Sequence, residues 1–347
     1  MSELRSLLPR SRACLMEESE IHLVKASFLE QFRTAMESCG GEPDRYFRQC
    51  RLPTRVDDPE SLLPLKPFFR LINQFAIDEN IPNFGAIVAQ TTPWHKVASL
   101  APLIVDSDNL EALLLRFCEV SVGQSSPVTF GLERDDGEIR FWYRSTLRIQ
   151  GDVQMEFYRL SCMIQLVQLA TGADWRPKSI ELQMPETRLI STCPLLADSA
   201  ARFDRPVTSV AIEPALLKLP VHVDIPASVP AAANRLAHEH TAFGESLRQI
   251  IDSYTPTGGI TIEDLANITD QSVRTLQRRL RAAGLNFSRM VAEARYDSAR
   301  DRLINSHLKV EEIGRQLGYT DPAHFTRAFR RWSGMTPSRY RKLNRPG

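Results

Sequence analysis

Two stretches near the end of the chain repeat one pattern of apolar and polar positions, and each copy has the length of a helix-turn-helix. Ile262-Glu263-Asp264-Leu265 corresponds to Val310-Glu311-Glu312-Ile313 at an offset of 48 residues. Leu276, Arg278 and Leu280 correspond to Phe325, Arg327 and Phe329 at 49, and Gly284, Ser288 and Arg289 to Gly334, Ser338 and Arg339 at 50. The drift of one residue at a time places the differences in turns. Helix-turn-helix units are therefore expected at about 260–283 and 310–333.

Each predicted helix start has a chemical reason. Thr261 can cap the first helix of the first unit with Asp264 at the third helical position, and Asp270 can cap its second helix. In the second unit Asp321 caps and Pro322 follows at the first helical position, a device repeated by Thr336-Pro337. On 271–283, Val273, Leu276 and Leu280 share one stripe, so Arg274, Arg278 and Arg281 lie opposite. On 322–332, Phe325, Ala328, Phe329 and Trp332 form the expected buried stripe, with Ala323, Arg327 and Arg330 opposite and His324 beside them. A single arginine face is usually a solvated helix surface. Its recurrence at matched positions of a repeat points instead to a pair of helices that enter the major groove, where arginine addresses guanine or phosphate. A mostly helical segment, 287–304, joins the units and spans roughly 25 Å at 1.5 Å per residue, enough to hold two reading helices near one DNA turn apart.

Ahead of the repeat, 219–234 (LPVHVDIPASVPAAAN) has three prolines and no helical period, so it is expected to be a linker. Residues 1–218 then form one domain and 235–347 the other. In the first, apolar periodicity predicts helices at about 22–39, 66–79, 108–121 and 153–171, the last closed by Gly172. Asp135-Asp136-Gly137 separates two strand-like runs, 127–132 and 138–143, as a hairpin, and 179–184 and 207–212 read as further strands. The expected fold class is an α+β N-terminal domain followed by an all-α C-terminal domain with two helix-turn-helix motifs.

Charge sharpens that division. The whole chain is nearly neutral at +1, but 231–347 carries 19 Lys+Arg against 12 Asp+Glu, while the remainder carries 24 against 30. A basic module attached to an acidic one fits a nucleic-acid-binding domain joined to a domain with another task. The six cysteines are scattered without a Cys-x-x-Cys pair or a His/Cys cluster, so no metal and no cofactor is expected. No phosphate-binding loop, nucleophile elbow or zinc-protease motif is present, and the chain is expected not to be an enzyme. The opening 20 residues lack the apolar core of a secretory signal and no apolar run approaches a membrane span; a cytoplasmic protein with no membrane partner is expected.

With these residues in view, about 240–342 resembles the DNA-binding domain of the AraC/XylS family. The resemblance is carried by Ser272-Val273-Arg274-Thr275-Leu276-Gln277-Arg278-Arg279-Leu280, Ile313-Gly314-Arg315-Gln316-Leu317-Gly318-Tyr319, His324-Phe325-Thr326-Arg327-Ala328-Phe329-Arg330-Arg331-Trp332 and Gly334-Met335-Thr336-Pro337-Ser338-Arg339-Tyr340. It implies base-facing roles for Arg274, Gln277 and Arg278 in the first unit and for Ala323, His324 and Arg327 in the second, with Arg281 and Arg330 on the same faces. Pro322 and Ala323 stand where many relatives carry polar residues, so the second helix is expected to anchor more than it reads.

The N-terminal region is similar to the arabinose-binding-like sensor domain of the OruR-like subgroup, through Leu52-Pro53, Asp58-Pro59, Leu63-Pro64, Phe84-Gly85, Asp108-Asn109-Leu110 and Pro206-Val207. The resemblance implies promoter DNA, RNA polymerase, a small-molecule effector and a second copy of the chain as partners. An aromatic group that includes Trp94, Trp142 and Phe157, with His95 or Arg144 as polar anchor, is the expected effector pocket. The alternative is an effector-independent regulator whose N-terminal domain only dimerises.

Overall fold

The computed structural model describes residues 21–54, 56, 61–91, 107–121, 128–135, 137–145, 153–221, 243–269 and 271–345. The chain opens with a short ribbon: β1 (Leu23–Lys25) pairs antiparallel with β2 (Leu62–Pro64). That pairing explains why α1 (Ala26–Ser38) starts four residues later than its apolar period suggests. The first residues of the period are extended, and their backbone groups are satisfied across the ribbon. Next come α2 (Pro43–Gln49), α3 (Leu65–Asp78) and α4 (Phe84–Thr91), the first and last too short to register as periodic segments. Phe32, Phe68 and Phe84 meet edge-on at the centre of this helical lobe.

After α5 (Leu110–Ser121), β3 (Val128–Asp135) and β4 (Glu138–Ser145) form the expected hairpin, and β5 (Ser179–Glu181), β6 (Ala200–Arg202) and β7 (Thr208–Ile212) complete a sheet of order β3-β4-β7-β5-β6. The pairs are antiparallel except β5 with β6. Along β4, Ile139, Phe141 and Tyr143 are buried, whereas Arg140, Trp142 and Arg144 point to the other face. Helix α6 (Val153–Thr171) lies between the sheet and the helical lobe. Phe157, Leu160 and Ile164 pack into the sheet core, while Met155, Tyr158 and Cys162 face the lobe. A helix sandwiched in this way is apolar nearly all round, as this sequence is. Gly172 closes it with φ 93°, as expected.

The C-terminal region is helical throughout. Helix α7 (Phe243–Tyr254) precedes the first unit, α8 (Ile262–Ile268) and α9 (Val273–Ala282). Helix α10 (Phe287–Asn305) joins it to the second unit, α11 (Val310–Gln316) and α12 (Pro322–Ser333), and α13 (Pro337–Asn344) follows. The apolar core does not stop at the expected boundary. Leu247, Ile250, Ile251 and Tyr254 of α7, together with Leu265, Leu276 and Leu280, belong to the core that contains Phe32 and Phe68. The second unit has its own small core around Leu303, Ile313, Phe325 and Phe329. Most of the expected linker, from 222 onward, lies outside the described residues.

Candidate nucleic-acid interface

In the first unit Thr261 and Asp264 form a reciprocal capping box at the start of α8. Asp270 lies outside the described residues, and the cap of α9 is Ser272, whose hydroxyl accepts from the Thr275 N–H at 3.1 Å. The reading helix therefore begins at Val273, two residues later than the sequence pattern suggested. Leu276 and Leu280 are buried, and Arg274, Gln277, Arg278 and Arg281 are exposed on the opposite side. None of these three arginines has an ion pair among the described residues. Arg279, between them in sequence, turns inward instead, with its guanidinium 4.0 Å from the Phe243 ring centroid.

The second unit repeats the plan with different chemistry at its entrance. Asp321 accepts from the Ala323 N–H at 2.8 Å, Pro322 occupies the first turn, and Phe325 and Phe329 are buried. Ala323, His324, Arg327 and Arg330 are exposed, and neither arginine has an ion pair among the described residues. His324 Nε2 lies 3.7 Å from the capping carboxylate. One expectation needs correcting: Trp332 is 40% exposed and stacks on Tyr296 rather than filling the core. The apolar stripe had room for Phe329 beneath α10, and the larger indole was left at its edge.

Helix α10 sets the spacing of the two units. Met290, Val291 and Ala294 in its first half pack into the first core, and Ala299 and Leu303 in its second half into the other. At 3.6 residues per turn these two stripes are rotated by roughly 150° about the helix, which is about 28 Å long. Each unit is thus bolted to a different face of one rod. A second brace is backbone on backbone. Gly318, after α11, has φ +84°, and a Cβ there would lie 2.2 Å from the Gly258 carbonyl oxygen of the first unit. Arg295 sits beside this crossing, over the Tyr319 ring.

Both parts of the chain are similar to known proteins. A profile described as the helix-turn-helix domain matches residues 265–343. A second, described as the arabinose-binding domain of AraC transcription regulators, matches residues 40–221, more than half of the chain. The chain belongs to the AraC family of transcription regulators. The AraC-type relatives include the HTH-type transcriptional regulator VirS of Mycobacterium tuberculosis, 24% identical over 92% of this chain and 96% of that one. The ornithine utilization regulator of Pseudomonas aeruginosa is 35% identical over 23% of this chain and 24% of its own. Among solved structures, the transcriptional regulator CdpR of Pseudomonas aeruginosa aligns over 86% of this chain and 96% of that one, at 19% identity and a TM-score of 0.38. The chain is thus a DNA-binding transcription regulator of AraC type with an arabinose-binding-like N-terminal domain.

Among the described residues, the expected effector group is not brought to one place. Trp94 and His95 lie outside the described residues. Trp142 and Arg144 are on the face of the sheet turned away from α6, with the indole lying over Gly131, where a side chain would collide with it. Phe157 is fully buried on the opposite face. Period-2 alternation around the neighbouring Phe141 and Tyr143 carried that information, because Trp142 and Tyr143 cannot face the same way.

A polar group went unread in the same region. Glu156 and Arg159 sit one turn apart on the apolar α6, and both are buried. Tyr143 and Thr208 donate their hydroxyls to the Glu156 carboxylate. Burial raises the Glu156 pKa, against the lowering effect of those two hydrogen bonds and of Arg159. It raises the Tyr143 pKa as well, reinforced by the adjacent carboxylate. Arg159 lies over the rings of Phe69 and Tyr143, so the group ties helical lobe, α6 and sheet together. Two charged residues three apart, the only charges in a 19-residue helix, are the available signal.

Proposed function

We propose that this regulator is a cytoplasmic, effector-responsive homodimer that binds promoter DNA through α9 and α12 and acts on RNA polymerase from there. Arg274, Gln277 and Arg278 read bases in one major groove, with Arg281 on phosphate. Arg327 and Arg330 hold phosphate at the next groove, where His324 and Ala323 give limited readout. The observation that carries this reading is the matched pair of helices, with Leu276 and Leu280 buried in one and Phe325 and Phe329 in the other, and with outward arginines that are exposed and have no ion pair among the described residues. An arginine with no carboxylate to satisfy it is available for phosphate or guanine. The rod-like α10 and the Gly258–Gly318 crossing hold the two helices in fixed relation, which binding to successive grooves of one duplex requires.

Footprinting of the purified chain on genomic fragments is the test. The expected result is protection of two segments about one helical turn apart, on one face of the duplex. A single protected segment would overturn the two-groove reading. Thermal unfolding across a metabolite library addresses the effector: a ligand present at 100 times its Kd adds roughly 2.7 kcal/mol of stability. No shift with any compound, alongside normal DNA binding and a dimeric mass, would favour a sensor that only dimerises.

A further inference from the structure

The sensor and the first unit enclose a cleft of about 480 Å³, within the size range of small-molecule sites. Half of its lining residues come from α2, the turn after it and α3, and the other half from the end of α8 and the turn into α9. Among the described lining residues two, Arg51 and Arg70, are cationic and none is acidic. Arg51 is engaged with Asp264 of the first unit, so it bridges the two walls; its left-handed φ of 56° closes the C-terminal end of α2. Arg70 has no ion pair among the described residues. Gln271 also lines the cleft, and its Oε1 is buried without a hydrogen-bond partner among the described residues. Asn267 and Ser272 add polar groups, the latter at the positive end of the reading helix α9.

We propose that this cleft binds a small organic anion that carries a hydrogen-bond donor, such as a hydroxycarboxylate, and that the bound anion couples the sensor to the first reading helix. This rests on the effector-responsive reading above and gives that effector a place and a chemical class. The exposed guanidinium of Arg70 meets the negative charge, and the Gln271 oxygen accepts from the donor. Because the walls belong to different parts of the chain, the ligand favours the arrangement in which they are together. Differential affinity for two arrangements is what a coupled response requires. A duplex phosphate is the competing occupant, since Ser272 begins a reading helix. The cleft's concavity and its Pro67, Ala266 and Ile268 walls suit a small molecule with some apolar surface better than a phosphodiester chain.

Cys50 lines the same cleft and is half-buried, whereas the half-buried Cys39 does not line it. Alkylation of both thiols by N-ethylmaleimide in the full chain, read by mass spectrometry, therefore reports occupancy. Citrate, 3-phenyllactate and inorganic phosphate are the probes, at constant ionic strength. At least one is expected to slow Cys50 alkylation severalfold with Cys39 unchanged, and Arg70→Gln should raise the concentration required about tenfold. Arg70 is exposed and has no ion pair among the described residues, so this variant keeps its fold, which unchanged Cys39 reactivity checks. No protection of Cys50 by any probe, or protection by duplex DNA alone, overturns the proposal. A metabolite that changes promoter affinity in gel-shift titrations without protecting Cys50 also overturns it, while leaving the effector-responsive reading in place.

Discussion

The two helix-turn-helix units share a plan but differ in what they are attached to. The first continues the apolar core of the sensor, and Ser253 Oγ, in the helix just before it, lies 2.8 Å from the Leu62 carbonyl of the ribbon. The second keeps a separate small core with α10 and α13, and meets the segment ahead of the first unit at the Gly258–Gly318 crossing. Their entrances differ as well: a neutral Ser272 caps one reading helix and an anionic Asp321 the other. The lesson is that sequence repetition fixes local architecture without fixing role. A change in the N-terminal domain reaches the first unit directly through shared packing, and the second through the α10 rod and the Gly258–Gly318 crossing.

The comparison can be broken most severely at the crossing that holds the units together. Gly318→Ala places a methyl group against the Gly258 carbonyl and in a left-handed backbone, and is expected to cost about 2–4 kcal/mol. Urea unfolding should register that loss, and footprints should lose simultaneous protection of two grooves. A smaller effect separates the roles of the units. Arg278→Ala and Arg327→Ala should each cost about 1–3 kcal/mol of DNA affinity, the first relaxing base preference and the second weakening all sequences evenly. Equal loss of base preference in the two variants, measured by selection from random duplexes, would erase the assigned asymmetry.

The finest contrast lies in the caps. Ser272→Ala and Asp321→Ala should each destabilise the chain by about 1 kcal/mol, because each removes a side-chain acceptor from an orphan N–H. Their effects on DNA should diverge. Loss of the Asp321 carboxylate removes a negative charge beside the phosphates and should tighten binding at low salt, an advantage that disappears as salt rises. Ser272→Ala should bring no such gain. Titrations at two salt concentrations decide between these outcomes.

Much of the second half of the molecule was legible because its signals are local. Thr261 with Asp264, and Asp321 with Pro322, announce helix starts through backbone hydrogen bonds a few residues long, and both caps are in place. The Leu276/Leu280 and Phe325/Phe329 stripes are buried as their spacing requires. Ser272 was overlooked as a cap because Asp270 offered the same chemistry two residues earlier. Trp332 followed the apolar period, yet its fate depended on the space that Tyr296 and Phe329 left.

The N-terminal domain was less legible, since aromatic residues announce burial but not a shared cavity. Trp142 and Phe157 both looked like pocket residues, and the sheet places itself between them. By itself the sequence determined the two arginine-faced units, the Thr261 and Asp321 caps, the hairpin and the long joining helix, because each follows from steric and hydrogen-bonding rules acting within one or two turns. Only the tertiary structure decided that the first unit shares its core with the sensor, that α10 presents different faces to the two units, and that Arg51, Arg70 and Gln271 border one cleft. Those facts depend on packing between segments up to about 200 residues apart, such as Leu62 with Ser253. No local pattern encodes a contact of that kind.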